Sequence, residues 1–440
     1  MRPCSIKPVA RLTGVVNLPG DKSIAHRSII LSAICRGKTV ISNLPFNEDC
    51  LSTISIFKQL GVKITRQKNN KAIILGNGLF SLSKPKRPVF IGDSGTTFRL
   101  LLGVLAGQKF KVKLTAGKSL SRRPMLRITK PLRMMGAVIK SQATPRLLEE
   151  YPPITIQGNN LQPIHYKMPV ASAQVKSAIL LAGLYASGKT EITEPIQTRD
   201  HTERMLKLFA AKIKTQKNKI ILQGKKELRS PGKIYIPGDI SSASFFVVAA
   251  IIVPQSKIVL KRISLNPSRI GIIKVLQRMG ADIEVSAVKN IGIEPIGDLI
   301  INSSKLEGTV VKKEEIPSLI DELPILLVAA CFAKGKTEFQ AVQELRVKET
   351  DRIKSMCVNL KKMGACIKVI KSGGSEKIIV HGIRELKGAK VSSFGDHRTA
   401  MSLIIAGLKA RGITHIDDII CIKKSFPGFT NLLNTVIHKN

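Results

Sequence analysis

Leu18 to Ser28 reads LPGDKSIAHRS and runs directly into the apolar stretch IILSAI, Ile29 to Ile34. Pro19 and Gly20 break the chain, Asp21 and Ser23 are residues of the type that cap a helix, and the apolar run continues it. Lys22 and Arg27 are out of place there, because a helix N-terminus already carries partial positive charge. A bound phosphate or carboxylate would offset that repulsion, since free backbone N–H groups point at the same spot. The alternative is that they are simply two of 71 Lys and Arg residues.

Working outward, a small or acidic cap before an Ala/Ile/Leu-rich helix recurs six times. The copies are GDKSIAHRSIILSAI from Gly20, GDSGTTFRLLLGVLA from Gly92, VASAQVKSAILLAGL from Val170, GDISSASFFVVAAII from Gly238, SLIDELPILLVAACFA from Ser318 and GDHRTAMSLIIAGLKA from Gly395. Most are followed by a break and an alternating strand, as in RGKTVISNL from Arg36, SGKTEITEP from Ser187, KGKTEFQAV from Lys334 and RGITHIDDI from Arg411. In five units a second, amphipathic helix then ends in a shared pattern: QLGVKI (Gln59), MMGAVI (Met134), LFAAKI (Leu208), RMGADI (Arg278) and KMGACI (Lys361). The glycine is a helix C-cap signal, replaced by Ala210 in the third copy.

Each unit therefore reads helix–strand–helix–strand–strand, an α/β architecture. The sixth unit stops after its second helix, and residues 1–19 are expected to supply its missing strand. The chain then closes as two lobes of three units, one over 20–228 and the other over 1–19 with 229–440. Crossings are expected at Pro19-Gly20 and Ser230-Pro231-Gly232. Buried central helices with parallel N-termini would gather their caps around one cleft, a natural polyanion site.

The formal charge of +41 admits nucleic acid, an anionic membrane surface or small polyanionic substrates as partners. The cations are spread along the chain, and with no Trp and 4% aromatics there is little for unstacked bases to stack on. Apolar runs such as Phe245 to Val253 fall short of the about 20 residues that cross a bilayer, and the N-terminus lacks the apolar core of a signal peptide. A cytoplasmic protein is expected. Seven Cys without a CxxC pair read as reduced, buried thiols. The seven His show no ligand spacing, so no built-in metal site is expected.

The caps supply the candidate site residues. Lys22, Ser23 and Arg27 come from the first unit, and Asp93, Ser94, Gly95, Thr96 and Arg99 from the second. Gly95 either clears space for a ligand at backbone N–H groups or only makes the turn. Arg122 and Arg123 precede Pro124 in an extended stretch suited to a bidentate grip on an anion, or lie at the surface. Ser172, Gln174 and Lys176 follow in the third unit. Asp321 and Glu322, beside the most apolar helix, either cap it or have pKa values suited to proton transfer. In LRVKETDR, the Glu349 and Arg352 spacing also fits a solvated ion pair. Asp396, His397 and Arg398 start the sixth central helix, and Lys424 follows it.

Together, LPGDKSIAHR, GDSGTTFR, SRRPM, SAQVKSA, IDELP, LRVKETDR, GDHRTAM and KKSFP resemble the 5-enolpyruvylshikimate-3-phosphate synthases, in order from about Lys7 to Pro427. The resemblance implies two lobes of three βαβαββ repeats, an inside-out barrel with buried helices. It implies transfer of the enolpyruvyl group of phosphoenolpyruvate to the 5-hydroxyl of shikimate 3-phosphate, a step of chorismate and aromatic amino acid biosynthesis. By the same likeness, Lys22, Ser23, Arg27, Ser172, Ala173, Gln174, Asp321 and Lys348 would meet shikimate 3-phosphate. Lys22, Gly95, Arg123, Gln174, Arg352, Arg398 and Lys424 would meet phosphoenolpyruvate, and Lys22, Asp321 and Glu349 would be catalytic. No cofactor is implied, and a monomer without nucleic-acid or membrane partners is expected. Glyphosate, a phosphoenolpyruvate mimic in this family, should inhibit where Gly95 leaves the pocket open.

Two positions depart from many relatives. Asp93 stands where they have Asn, and either adds negative charge near a phosphate or serves there through its backbone. Ala173 removes a hydroxyl from the shikimate phosphate contacts, which Lys176 or Ser177 could replace. An enolpyruvyl transferase acting on UDP-N-acetylglucosamine would carry a Cys in the SRRPM loop, yet no Cys lies between Cys50 and Cys331. RNA 3′-phosphate cyclases have related repeats, but scattered cations, scarce aromatics and the acidic pair argue against that activity.

Overall fold

A computed structural model describes residues 2–144 and 149–438. The chain divides into two compact units, an inserted one, Gly20–Ile236, and a terminal one, Met1–Pro19 with Pro237–Asn440. Each has its own apolar core. Among the described residues, no helix is long and apolar enough to cross a membrane.

Six central helices organise the units. In the inserted unit these are α1 (Lys22–Ile34), α2 (Gly95–Leu105) and α3 (Ala173–Gly183). In the terminal unit they are α4 (Ile240–Ile252), α5 (Leu323–Cys331) and α6 (His397–Lys409). They are apolar nearly all round, so no face can be left to water. Every residue of α4 and α5 is buried, as is α1 from Ile24 onward. Asp21, Ser94, Ser172, Asp239 and Asp396 cap five of them by accepting backbone N–H bonds. At α5 the Glu322 side chain makes no such cap, which frees it for other contacts.

Parallel strands flank each central helix and enclose it. Val89–Phe90 pairs with Lys111–Thr115 around α2, with Val89 opposite Leu114. His165–Lys167 pairs with Lys189–Thr193 around α3, Val310–Val311 with Lys336–Phe339 around α5, and Lys390–Val391 with Thr414–Ile416 around α6. An antiparallel hairpin extends most of these sheets, such as Val138–Thr144 with Glu149–Gln157. The resulting order is the βαβαββ repeat.

Three strands come from elsewhere in the sequence. Arg11–Asn17 leads the fourth repeat, pairing in parallel with Lys257–Ser264. Cys4–Ile6 completes the sixth sheet against Thr414–Ile416. Residues 1–19 thus serve two sheets, where the sequence suggested one strand. The expected boundary after residue 228 is also displaced. Lys233–Tyr235 pairs in parallel with Arg36–Ser42 and leads the first repeat, so the inserted unit extends to Ile236 and the chain leaves it at Pro237 rather than at Ser230-Pro231-Gly232.

The five second helices end alike. Gly61, Gly136, Gly280 and Gly364 take φ values of +89°, +103°, +92° and +90°. Ala210 adopts the same left-handed geometry, φ +62°, with its methyl exposed. A Cβ there costs roughly 1–2 kcal/mol, partly offset by the greater freedom of glycine in the unfolded chain. Ala210→Gly should therefore stabilise the inserted unit by about 0.5–1 kcal/mol, seen as a higher urea midpoint at unchanged m-value; a lower midpoint contradicts this account.

Candidate active site

In the inserted unit, the first turns of α1, α2 and α3 meet. Lys22, part-exposed at the start of α1, pairs with Asp49 at 3.0 Å. Arg27 lies one turn further on and is 4% exposed. Its Nε donates to Thr202 Oγ1 (2.6 Å), Nη2 to Ser177 Oγ (2.8 Å) and Nη1 to the Ser23 carbonyl (2.9 Å). These three oxygens fix the orientation of the guanidinium.

Arg99 of α2 donates to the Gln174 amide oxygen, and Gln174 Nε2 donates to Thr96 Oγ1 at 3.2 Å. Ser172 caps α3, and Ala173 is its first residue. Gly95 opens α2 against Arg123, which is 7% exposed. A Cβ on Gly95 would lie 2.7 Å from Arg123 Nη1, so the glycine makes room for this arginine as well as for any ligand. Arg122, by contrast, is exposed.

Asp93 has a structural role besides any charge it brings to the site. Its Oδ1 accepts the backbone N–H groups of Ser119 (3.0 Å) and Leu120 (3.1 Å), at the start of the turn that presents Arg123. The carboxylate is a loop anchor. Lys176 is likewise unable to stand in for the hydroxyl absent at Ala173. It is wholly buried between Glu194 (3.0 Å) and Glu203 (2.6 Å). Ser177 is engaged with Arg27, Thr202 and the Ala173 carbonyl.

Beneath Lys22 and Arg27, buried His26 bonds through Nδ1 to Thr53 Oγ1 (2.8 Å), which bonds onward to Thr97 (2.7 Å). Burial, then the charges of Lys22 and Arg27, push its pKa down to about 3, leaving it neutral.

The terminal unit builds its group around Arg352, 1% exposed at the start of the helix Arg352–Lys362. Its Nε meets Asp396 Oδ2 at 3.0 Å, its Nη2 Glu349 Oε2 at 2.6 Å and its Nη1 Asp321 Oδ1 at 3.3 Å. Burial alone would lower its pKa, but Asp396, Glu349 and Asp321 together raise it above the ordinary arginine value. Asp396 is fully buried. Burial opposes its ionisation, yet Arg352 and then His397 hold its pKa below the usual aspartate range. Its Oδ1 also accepts Arg398 N (2.7 Å), fixing the first turn of α6.

Asp321 and Glu349 keep side-chain exposures of 18% and 26%, so each reaches solvent from a buried anchor. Lys348 Nζ lies 3.7 Å from Asp321, and Arg398 Nη1 donates to the Asp321 carbonyl at 2.7 Å. Arg346 ties down the segment by pairing with Asp351 and Glu376, both at 2.6 Å. Lys424 ends the turn Ile420–Lys424, which packs on α6. Neighbouring Cys421, pushed up to about 12 by burial first, feels the charges of both Asp396 and Lys424.

Two cationic groups, one joined to solvent-reaching carboxylates, are suited to phosphorylated acids and proton transfer. Comparison with known proteins agrees. The EPSP synthase (3-phosphoshikimate 1-carboxyvinyltransferase) family model matches residues 6–433. The chain belongs to this family. A 3-phosphoshikimate 1-carboxyvinyltransferase of Desulforamulus reducens is 46% identical over 432 residues, 98% of this chain and 99% of that protein. One from Bacillus cytotoxicus is 47% identical over 96% of this chain and 97% of its own length. A solved EPSP synthase of Acinetobacter baumannii superposes with TM-score 0.87 at 42% identity, covering 100% of this chain and 99% of that one. The two-lobe, inside-out fold accords with these relatives.

The structure joins Lys22, Ser23, Arg27, Gly95, Arg123, Ser172, Ala173 and Gln174 within the inserted unit. Asp321, Lys348, Glu349, Arg352 and Arg398 form one network in the terminal unit. Asp49 and Thr202 join the group in the inserted unit from outside the cap segments, through Lys22 and Arg27. No local pattern marks them.

Two measurements check this account. Asp93→Ala should speed hydrogen exchange at the Ser119 and Leu120 amides, while Asp93→Asn, which keeps an acceptor oxygen, should leave them protected; equal exchange in both variants would remove the anchor. His26 titrates the other way from a partner-seeking histidine. Unfolded, it binds a proton below about pH 6.5, and folded only near pH 3. Its contribution to stability is therefore full above pH 6.5 and declines as pH falls. His26→Gln should reduce the dependence of stability on pH between 6 and 4 by up to about 1.4 kcal/mol per unit, read by urea unfolding; an unaltered slope means the folded imidazole is already protonated.

Proposed function

We propose that the chain transfers the enolpyruvyl group of phosphoenolpyruvate to the 5-hydroxyl of shikimate 3-phosphate, with release of phosphate. The observation that carries this reading is the pair of solvent-reaching carboxylates, Asp321 and Glu349, both tied to the buried Arg352. The reaction needs a proton delivered to the methylene carbon of phosphoenolpyruvate and another taken from the attacking hydroxyl. It also needs cations for two phosphates and two carboxylates.

Lys22, Ser23, Arg27, Ser172, Ala173 and Gln174 hold shikimate 3-phosphate in this proposal, with Asp321 and Lys348 from the terminal unit. Arg123, Arg352, Arg398 and Lys424 grip phosphoenolpyruvate, Gly95 leaves room beside Arg123, and Lys22 and Gln174 serve both substrates. Asp321 orients or deprotonates the 5-hydroxyl. Glu349 protonates the methylene carbon, then recovers a proton as phosphate leaves the tetrahedral intermediate.

The Arg352–Glu349 pair suggests how Glu349 gains a proton. Paired with a guanidinium, a carboxylate favours its ionised form. A substrate anion that draws Arg352 Nη2 away would raise its proton affinity as the substrate arrives. Lys22 stabilises charge on the phosphate and the transferring oxygen.

Phosphate release from shikimate 3-phosphate plus phosphoenolpyruvate is the test, with UDP-N-acetylglucosamine as the alternative acceptor. Turnover is expected with the first acceptor only. Lys22→Met should lower kcat at least about 100-fold with an unchanged far-UV circular dichroism spectrum. Near-normal turnover would take Lys22 out of the chemistry.

A further inference from the structure

We propose that Glu322 is a positioning residue for Arg398, and through it sets the affinity for phosphoenolpyruvate. The inference rests on the reading that Arg398 grips that substrate. Glu322 is 0% exposed at the N-cap position of α5, yet its carboxylate does not cap the helix. It turns instead toward the first turn of α4, where Ser241 Oγ donates to Oε1.

Ser241 is itself pinned. Its N–H donates to Asp239 Oδ1 at 2.8 Å, and its hydroxyl accepts from Arg269 Nη2 at 2.6 Å. Arg269 is 1% exposed, and Nη2 also lies 3.6 Å from Glu322 Oε1. On its other side, the same Oε1 lies 3.6 Å from Arg398 Nη1. One buried carboxylate thus stands between two buried guanidinia, one from the turn before the helix Gly271–Arg278 and one from α6.

Asp321 and Glu322 do different work for Arg398. The Asp321 carbonyl accepts its Nη1, but the Asp321 carboxylate is 4.0 Å from Nη2 and is shared with Lys348 and Arg352. That carboxylate reaches solvent and is the group expected to engage the substrate hydroxyl. Glu322 has no route to solvent and is anchored by Ser241, so it remains the fixed counter-charge when Asp321 engages substrate. Glu322 also faces Arg269, so its charge sits between both guanidinia. Removing its charge would leave Arg269 and Arg398 repelling each other in a site of low dielectric.

The experiment is steady-state kinetics of the full chain as wild type, Glu322→Gln and Ser241→Ala, with the thermal midpoint of each. Glu322→Gln should raise KM for phosphoenolpyruvate about tenfold while KM for shikimate 3-phosphate stays within about twofold. Ser241→Ala keeps the charge but removes its anchor, and should raise the phosphoenolpyruvate KM about threefold. A wild-type phosphoenolpyruvate KM in both variants overturns the proposal, as does an equal rise in both KM values. If Glu322→Gln fails to fold, Ser241→Ala decides alone by the same criterion. Wild type that does not turn over this substrate pair would refute the function itself, an outcome distinct from either variant result.

Discussion

A helix without a polar face must be enclosed, and every other feature of this chain answers to that requirement. Six such helices cannot share one core of ordinary size, and they are divided three to a unit, each wrapped by strands on the flanks. Enclosure leaves only the helix ends for polar chemistry. At those ends unsatisfied N–H groups favour anions, so caps, cations and carboxylates collect there. The contacts of Gln174 with Thr96 and of Glu322 with Ser241 are the direct consequence: first turns of different repeats touch.

Much of this was legible because it is local. A cap followed by an apolar run, and a glycine where a second helix must reverse, depend on neighbours a few residues away. The recurrence of Gly61, Gly136, Gly280 and Gly364 therefore revealed the repeat, and Ala210 was recognisable as its exception. The displaced boundary was illegible for the opposite reason. Lys233–Tyr235 is a short strand whose partner, Arg36–Ser42, lies nearly the whole inserted unit away. Nothing within its own three residues says which sheet it will join. Asp49 and Thr202 were hidden likewise, since each acts on a cation that the fold brings to it.

Residue type proved a poorer guide than surroundings. Lys176 and Arg352 are both buried cations near helix starts, and both contact more than one carboxylate. Glu194 and Glu203, the acids around Lys176, are as buried as the lysine itself. Burial, opposed by Lys176, raises the pKa of Glu203. That triad is closed. Around Arg352, Asp396 is sealed while Asp321 and Glu349 reach outward. A buried charge speaks for function only when one of its partners can also meet a substrate, which explains why two similar sequence signals have different meanings.

The arginines of the two units have different kinds of partner. Hydroxyls, an amide and carbonyls accept hydrogen bonds from Arg27 and Arg99 and orient each guanidinium. Lys22, in the same unit, is paired with the Asp49 carboxylate. Carboxylates hold Arg352 and Arg398 instead. There an arriving anion competes with an existing partner, and each displaced carboxylate becomes a stronger base. Anion binding at Arg352 is thus coupled to the proton affinity of its carboxylate partners. An addition–elimination that must first give a proton to carbon and later take one back is served by such coupling.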